Sequence, residues 1–572
     1  MNKQPAFKGK PNKNEAPAAQ PPTAEPEKKS NPRLPLLIAG AVALAVSLTI
    51  YVMRLDRVVG LIVDDAWYLL LAKALATGQG YTLTNSPSPG ITPFYAPAFP
   101  ALLSIFYRIS PSFPGNVWLL KSVSIAAMMG VGFLSFGYFR RNRELPQWVA
   151  LALALATTIY PALVFLATSS LMSECVFMAA QLGVIVLIER GVKAGQIASA
   201  WRFSLSFILI GGALASFAFL TRPAGVGLLI GTVLYLLKEK LSKQAVIFAA
   251  VVVVCVGPWM LYSRSHAPTP QQQAEQGANI VQPYTTQLWQ KVAGQPLNGT
   301  ITLGDMPERI GKNLSEIGLF DFGGFAFYSL YRPLEPGEPM RIPSEARMIS
   351  LFLALLALAG FIATARERMT LIEFIVPLSL GVTLIWGWEQ FRLLLPLVPF
   401  LFFYLLMGVR LIIRLYEKLY DDGKSRELIP LLVVSWLLAL TALHGNYKYI
   451  QKMNEPRPTD RVRWIAAYDE NEAMMKHIGD TVPKTEIIAT QNPALLHLYT
   501  GHKTIASDDP AGSWDNWNRM GVKFLARTSP LPLPKADANE NQYKTVYRSP
   551  GFLNLRLVDL GAPDSRPIWK KN

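Results

Sequence analysis

Residues 62–82 read IVDDAWYLLLAKALATGQGYT and place two adjacent carboxylates, Asp64 and Asp65, shortly after the first long apolar run of the chain. An acidic side chain costs roughly 2.5–3.5 kcal/mol at the centre of a bilayer. A tandem pair next to such a run is therefore either held in water or retained for chemistry. The surrounding sequence has to distinguish these two cases.

Composition indicates a multi-spanning membrane protein. Of the 572 residues, 51% are hydrophobic and 16% are charged, against about 25% charged in soluble domains. Apolar runs long enough to cross about 30 Å of hydrocarbon recur along most of the chain. They lack the period-2 alternation of a membrane β-barrel. We predict a mainly α-helical, multi-pass fold of about eleven spans. The predicted spans are residues 34–53, 116–139, 147–166, 171–188, 203–220, 224–237, 244–263, 348–365, 370–386, 393–413 and 428–444.

Basic residues predict the orientation of these spans, because Lys and Arg accumulate in cytoplasmic loops. With a cytoplasmic N-terminus, the basic segments fall on the inner side; they are residues 140–143, 189–193, 238–243, 366–368 and 414–427. The sequence thus predicts a plasma (inner) membrane protein with an extracytoplasmic C-terminus. The net charge of +16 is then explained by contact with anionic membrane lipid and requires no nucleic acid partner.

The chain divides into three predicted parts. Residues 1–32 are rich in Pro, Ala and Lys without periodicity and predict a disordered cytoplasmic tail. Residues 33–445 form the transmembrane domain, with long external loops at 54–115 and 264–347. Residues 446–572 combine a helical stretch near 460–478 with the strand-like runs EIIAT, VKFLAR, KTVYR and FLNLRLVDL, which predicts a small extracytoplasmic α/β domain. Cys175 and Cys255 lie within predicted spans and indicate packing thiols rather than a disulfide.

The first external loop contains two predicted short helices. DDAWYLLLAKALATG is too short to span and predicts a helix at the membrane surface, and YAPAFPALLSIFYRI follows a Gly- and Pro-rich stretch. Asp64 could cap the first helix while Asp65 occupies its first turn. Two acids in tandem beside Trp67 and Tyr68 favour a functional site instead.

This arrangement resembles the GT-C glycosyltransferases, the membrane superfamily that includes protein O-mannosyltransferases, aminoarabinose transferases and arabinofuranosyltransferases. The resemblance is carried by DDAWYLLLAKALATGQGYT followed by PFYAPAFPALLS, and more weakly by SSLMSECVF, LTRPAG, QFRLLLPLVPFL and NPALLHLYTGHKT. Members carry an acidic pair in the first external loop, flanked by two juxtamembrane helices. The pair is usually Asp-Glu, whereas this chain has Asp-Asp, as in the arabinofuranosyltransferases.

The resemblance implies an inverting transfer of a sugar from a polyprenyl-phosphate donor to an acceptor hydroxyl at the outer face of the membrane. Asp64 is then the candidate base, and Asp65 would orient the acceptor or ligate a divalent metal. No cofactor is certain. The acceptor is a glycolipid, a polysaccharide or a protein.

Donor binding is predicted at the outer ends of the spans. Arg222 and Arg392 stand at the depth of a lipid headgroup, and Arg suits bidentate contact with phosphate. Tyr68, Lys73 and Glu174 complete the predicted donor site.

Four of these donor residues also have a structural alternative. The arginines could snorkel to the interface. Lys73 could be a surface cation, and Glu174 could be satisfied by nearby serines.

Two broader alternatives stay open. The amphipathic stretch MPERIGKNLSEIGLF of the second loop fits a cover over the donor site or a structural linker. The protein as a whole could be a transporter or flippase of a lipid-linked substrate. Such proteins tend to have inverted repeats and ionisable residues at mid-membrane. The ionisable residues here cluster at the outer span ends, which favours an enzyme.

The topology prediction can be tested by cysteine accessibility in intact cells. Lys8 and Lys424 are expected to be cytoplasmic, and Asp64, Gly294 and Trp514 to be extracytoplasmic, because the basic loops stay inside. Single cysteines at the last three positions should react with a membrane-impermeant thiol reagent. Labelling of position 424 from outside would contradict the predicted topology.

Overall fold

The structure is a computed structural model, and it describes residues 34–563 except 89, 198–200, 277, 334–340, 421–425, 456–461, 508–516 and 534–539. The predicted tail of residues 1–32 lies outside the described residues, as do positions 424 and 514.

Among the described residues, eight helices are long and apolar enough to cross a membrane. They are α1 (Leu34–Arg54), α4 (Val117–Arg141), α7 (Glu174–Gly195), α8 (Trp201–Thr221), α10 (Ser242–Ser265), α17 (Ser344–Glu367), the continuous segment of α19 (Gln390–Leu394) and α20 (Val398–Tyr420), and α21 (Leu428–Met453). The multi-pass helical fold predicted from the sequence is confirmed.

Three further predicted spans are helical but are shorter or bent. Helices α5 (Gln147–Thr158) and α6 (Pro161–Thr168) meet at 46° and together make a ninth candidate. Helices α9 (Val226–Lys238) and α18 (Ile372–Ile385) have 13 and 14 residues. The count of eleven therefore stays a prediction.

The bend between α5 and α6 is stabilised by polar side chains from other spans. Pro161 has no amide hydrogen, so the helix breaks there and leaves backbone carbonyls without helical partners. Tyr51 donates to the carbonyl of Thr158 at 2.8 Å, and Asn446 donates to that of Ile159 at 2.6 Å. Arg54 donates both to the carbonyl of Pro161 and to Asn446. The break is thus built into the packing of α1 and α21.

The first loop forms the two short helices that were predicted, α2 (Asp64–Ala76) and α3 (Ala98–Ile109). The apolar residues of α2 surround its whole circumference, and every residue from Asp65 to Ala72 is buried. A helix that is apolar all round is enclosed. It packs against α3 and against α23 (Pro493–Thr500) of the C-terminal region. This helix is therefore covered by protein rather than lying on lipid.

The second loop consists of short helices. They are α11 (Pro270–Glu275), α12 (Ala278–Val281), α13 (Tyr284–Gln287), α14 (Met306–Glu316), α15 (Phe322–Ala326) and α16 (Tyr328–Tyr331), with a π-helical turn at Ile317–Asp321. Arg309 and Asn313 of α14 donate to the carbonyls of Ile385 and Trp386 at the end of α18. The amphipathic stretch is thus hydrogen-bonded to the segment that leads into α19.

The C-terminal region contains a five-stranded mixed sheet of order β2-β1-β3-β5-β4. The strands are β1 (Ile487–Thr490), β2 (Thr504–Ala506), β3 (Val522–Arg527), β4 (Tyr543–Arg548) and β5 (Arg556–Pro563). Strand β1 runs parallel to β2 and β3, and β5 runs antiparallel to β3 and β4. Helix α22 (Arg463–Thr481) precedes the sheet. The four predicted strand-like runs all contribute strands, and the three-residue β2 was missed.

Candidate active site

Asp64 is presented by an unusual turn at the start of α2. Val63 has φ 71° and ψ −55°, and the amide of Asp64 donates to the carbonyl of Ile62 at 2.9 Å. This is a γ-turn with a β-branched residue at its centre, a strained conformation for Val. Val63, not Asp64, occupies the N-cap position. The side chain of Asp64 therefore does not cap α2, in contrast to the structural alternative considered for it.

The carboxylate of Asp64 is held by two donors. The Tyr95 hydroxyl donates to Oδ1 at 2.6 Å, and Nη2 of Arg392 donates to Oδ2 at 2.9 Å. The side chain of Asp64 is 24% exposed and that of Arg392 is 26% exposed. Asp64 is thus oriented by the protein and still accessible.

Arg392 also contacts Glu174, which extends the site into a chain of alternating charges. Nε of Arg392 donates to Oε1 of Glu174 at 2.6 Å, and Nη1 of Arg222 lies 2.9 Å from the same oxygen. Glu174 is fully buried, and its Oε2 has no hydrogen-bond partner among the described residues. Two carboxylates and two guanidinium groups balance in charge, as buried ions require.

Local sequence explains where each of these side chains stands. Glu174 is the first residue of α7, where a negative charge is favoured by the helix dipole. Arg222 precedes Pro223, and its extended backbone ends α8. Arg392 lies in the short helix α19, which begins after the irregular segment that follows α18. All three stand at ends of apolar helices, as predicted.

Tyr68 and Tyr284 flank the site. Tyr68 lies one turn after Asp64, its hydroxyl is 3.4 Å from that of Ser173, and burial raises its pKa to about 12. Tyr284 comes from α13 of the second loop. Burial raises the pKa of its hydroxyl, and Tyr68 and Asp64 add to this increase.

The structure does not bring Asp65 and Lys73 into this cluster. Asp65 is fully buried, and its oxygens accept from the amides of Gly60 and Ala66 at 2.7 and 3.2 Å. Lys73 is half-buried, nine residues after Asp64, and burial lowers the pKa of its ammonium group. Their predicted roles in acceptor or donor binding remain untested.

A divalent metal at Asp65 is not supported by the residues around it. Both carboxylate oxygens already accept from backbone amides. In the part of the chain that the structure describes, no group of three or more His, Cys, Asp or Glu residues is arranged to hold an ion. We therefore derive no step of the chemistry through a metal.

Sequence analysis missed Tyr95 as a site residue. It lies in the stretch PFYAPAFPALLS just before α3, and its ring is 5.3 Å from that of Tyr68. A Tyr at the entry to the second juxtamembrane helix was the available signal. Nothing in its local pattern identifies the carboxylate that it contacts, 31 residues away.

Comparison with known proteins adds evidence on the fold. No family model and no curated protein sequence matches the chain. The oligosaccharyltransferase of Archaeoglobus fulgidus, solved with a tethered acceptor peptide, aligns over 86% of this chain and 69% of its own, at 12% identity and a TM-score of 0.51. This chain has the GT-C fold.

Two structures of ArnT from Cupriavidus metallidurans are also similar to this chain. The apo form covers 91% of this chain and 97% of its own, at 14% identity and a TM-score of 0.48. The form bound to undecaprenyl phosphate covers 92% and 98%, at 14% identity and a TM-score of 0.46. The GT-C fold predicted from the first loop is confirmed by the likeness to the oligosaccharyltransferase, which extends over 86% of this chain.

The buried carboxyl of Asp65 predicts a pH dependence of stability. Burial is the main cause that raises its pKa from 3.8 to about 6. Because the folded-state pKa is the higher one, its stabilising contribution is complete below about pH 4 and is lost as the pH rises through 6. Two pKa units correspond to about 3 kcal/mol.

We therefore expect the free energy of unfolding in detergent to fall between pH 4 and 7 by about 3 kcal/mol more in the wild type than in Asp65→Asn. Denaturant titration at several pH values measures this difference. Asp480→Asn, at an exposed carboxylate, should follow the wild-type curve. Parallel curves for wild type and Asp65→Asn would show that Asp65 does not titrate in this range.

Proposed function

We propose that the protein is a membrane glycosyltransferase that moves a sugar from a polyprenyl-phosphate donor to an acceptor hydroxyl at the outer face of the membrane, with inversion. The observation that carries this proposal is the position of Asp64. An oriented, accessible carboxylate is linked through one guanidinium to a buried Glu174 and a second guanidinium. The site therefore offers a proton acceptor and two phosphate-binding groups together. The shared fold with an oligosaccharyltransferase supports glycosyl transfer as the reaction class.

These side chains support a single displacement step. The acceptor oxygen forms a bond to the anomeric carbon while the bond from that carbon to the phosphate oxygen breaks. The acceptor proton passes to Asp64, and the phosphate leaves as an anion that requires no general acid. Attack opposite to the leaving group gives inversion.

Each charged group has a distinct role in this proposal. Arg222 and Arg392 bind the phosphate and stabilise its charge as it leaves. Glu174 fixes both guanidinium groups, and Tyr95 orients Asp64. Arg392 is shared between the base and the phosphate, so donor binding draws its charge away from Asp64 and leaves that carboxylate freer to accept a proton.

The function can be tested by analysis of lipid-linked sugars in cells that lack the protein. A polyprenyl-phosphate sugar should accumulate, and its mass would identify the sugar. The purified lipid should then be consumed by the purified protein in detergent when a membrane extract supplies the acceptor. A flippase would show no turnover in detergent, because no bilayer separates the two sides. Failure of the wild type to consume the accumulated lipid would contradict the proposal.

Replacement of Arg392 should weaken donor binding. Arg392→Ala removes charge-assisted hydrogen bonds worth roughly 1.5–3 kcal/mol, so the Kd for undecaprenyl phosphate should rise roughly 10- to 100-fold. Arg392→Lys should recover only part of this loss, because an ammonium group keeps the charge but lacks the planar, bidentate donor geometry of a guanidinium.

Arg108→Ala is the matched control, since Arg108 is exposed and donates to a helix-end carbonyl. It should bind undecaprenyl phosphate as the wild type does. An unchanged Kd in Arg392→Ala, with protein that remains folded, would remove Arg392 from the donor site.

Asp64→Asn tests the base directly. Asn keeps the size of the side chain and can still accept from Tyr95 or Arg392, but it cannot take up the acceptor proton. The turnover rate should fall by roughly 10²–10⁴-fold, while the protein inserts and binds undecaprenyl phosphate. Asp480→Asn makes the same chemical change at an exposed position and should be fully active. Wild-type turnover in Asp64→Asn would eliminate Asp64 as the base.

A further inference from the structure

Gly60 is one of the points at which the C-terminal region contacts the backbone of the first loop. Its amide donates to Oδ2 of Asp65 at 2.7 Å, and its carbonyl accepts from Nδ2 of Asn492 at 2.5 Å. Gly60 has φ +90°, and a Cβ added there would lie 2.4 Å from Cδ1 of Leu495. Glycine adopts this φ without strain, and a side chain there would displace the side chain of Leu495 in α23.

The strained backbone of the turn at residues 60–63 has to be stabilised by contacts from outside the turn. The carbonyl of Gly60 also accepts from the amide of Val63 at 3.3 Å, so it opens the turn that ends in the γ-turn before Asp64. A positive φ at a residue such as Val63 costs roughly 1–3 kcal/mol and persists only where surrounding contacts fix it. Asn492 supplies such a contact at the first residue of the turn.

Asn492 is itself fixed in one orientation. Its Oδ1 accepts from the amide of Leu495 and caps α23, which leaves Nδ2 to donate to Gly60. The residue is only 6% exposed. Because the cap determines which end of the amide faces α23, the donor toward Gly60 is determined as well.

We propose that Asn492 is a positioning residue for Asp64. Helix α23 of the C-terminal region then contributes to the geometry of the active site. This inference rests on the transferase function proposed above. Asn492 acts through Gly60 and the turn at residues 60–63, which set the direction in which Asp64 enters the site. It does not contact the cluster of Glu174 and the two arginines, so donor binding does not depend on it.

Two substitutions separate this role from the cap. Asn492→Ser keeps a good N-cap residue but is too short to reach Gly60. Asn492→Asp keeps both the size and the cap and removes the donor. Lys484→Met is the matched control. Its ammonium group donates to the carbonyl of Thr500 at 2.6 Å, so it loosens the other end of α23 without touching the first loop.

Three quantities should be measured in the full-length protein. They are amide hydrogen exchange of residues 60–67, the turnover rate, and the Kd for undecaprenyl phosphate. Both Asn492 variants should exchange faster in residues 60–67 and lose about 10²-fold in turnover, the effect of a small misplacement of a reacting group. Their Kd should remain within about twofold of wild type, which corresponds to about 0.4 kcal/mol. Lys484→Met should match the wild type in all three.

Several outcomes would overturn the proposal. These are unchanged exchange in residues 60–67, faster exchange with unchanged turnover, or an equal loss of turnover in Lys484→Met. Should the charge in Asn492→Asp unfold the protein, Asn492→Ser alone decides. A wild type that consumes no lipid-linked sugar would overturn the transferase function, and the exchange data would still show whether Asn492 holds the turn, because they require no substrate.

Discussion

One guanidinium group placed between two carboxylates joins the elements that form the candidate site. Arg392 bonds Asp64 through Nη2 and Glu174 through Nε, and Glu174 is fully buried. A buried carboxylate without a partner would cost several kcal/mol, so the helices that carry these charges have to meet. The ends of α2, α7, α8 and α19 are thereby fixed relative to one another, and the position of the candidate site follows from that requirement.

The segments of the chain that could be predicted are those that carry a local signal. Apolar runs located the eight long apolar helices, and the short lengths of α2 and α3 distinguished them from spans. Strand-like runs located four of five strands, whereas β2 has only three residues and no pattern of its own. The acidic pair and the charged residues at span ends predicted Asp64, Glu174, Tyr68, Arg222 and Arg392, all of which meet in the structure.

The contacts between these residues could not be predicted from the sequence. Arg392 lies 328 residues from Asp64, and helix or strand periodicity gives no information on contacts at that separation. The adjacent acids Asp64 and Asp65 also look alike in sequence, yet one faces the site and the other binds backbone amides beneath it. Their difference arises from the turn at Val63 and from the burial of α2 under α23, which are tertiary effects.

The long separations within the charge cluster set an order for its assembly during synthesis. Glu174 emerges before any of its partners, and Arg222 follows with the next helix. Arg392 comes 218 residues after Glu174, which at about 5–20 residues per second is a delay of roughly 10–40 s. Glu174 can therefore be neutralised early by Arg222, whereas Arg392, which pairs with Asp64, is synthesised only in the last third of the chain. A nascent protein interrupted before α19 would hold both carboxylates of the cluster with only one of its two cations.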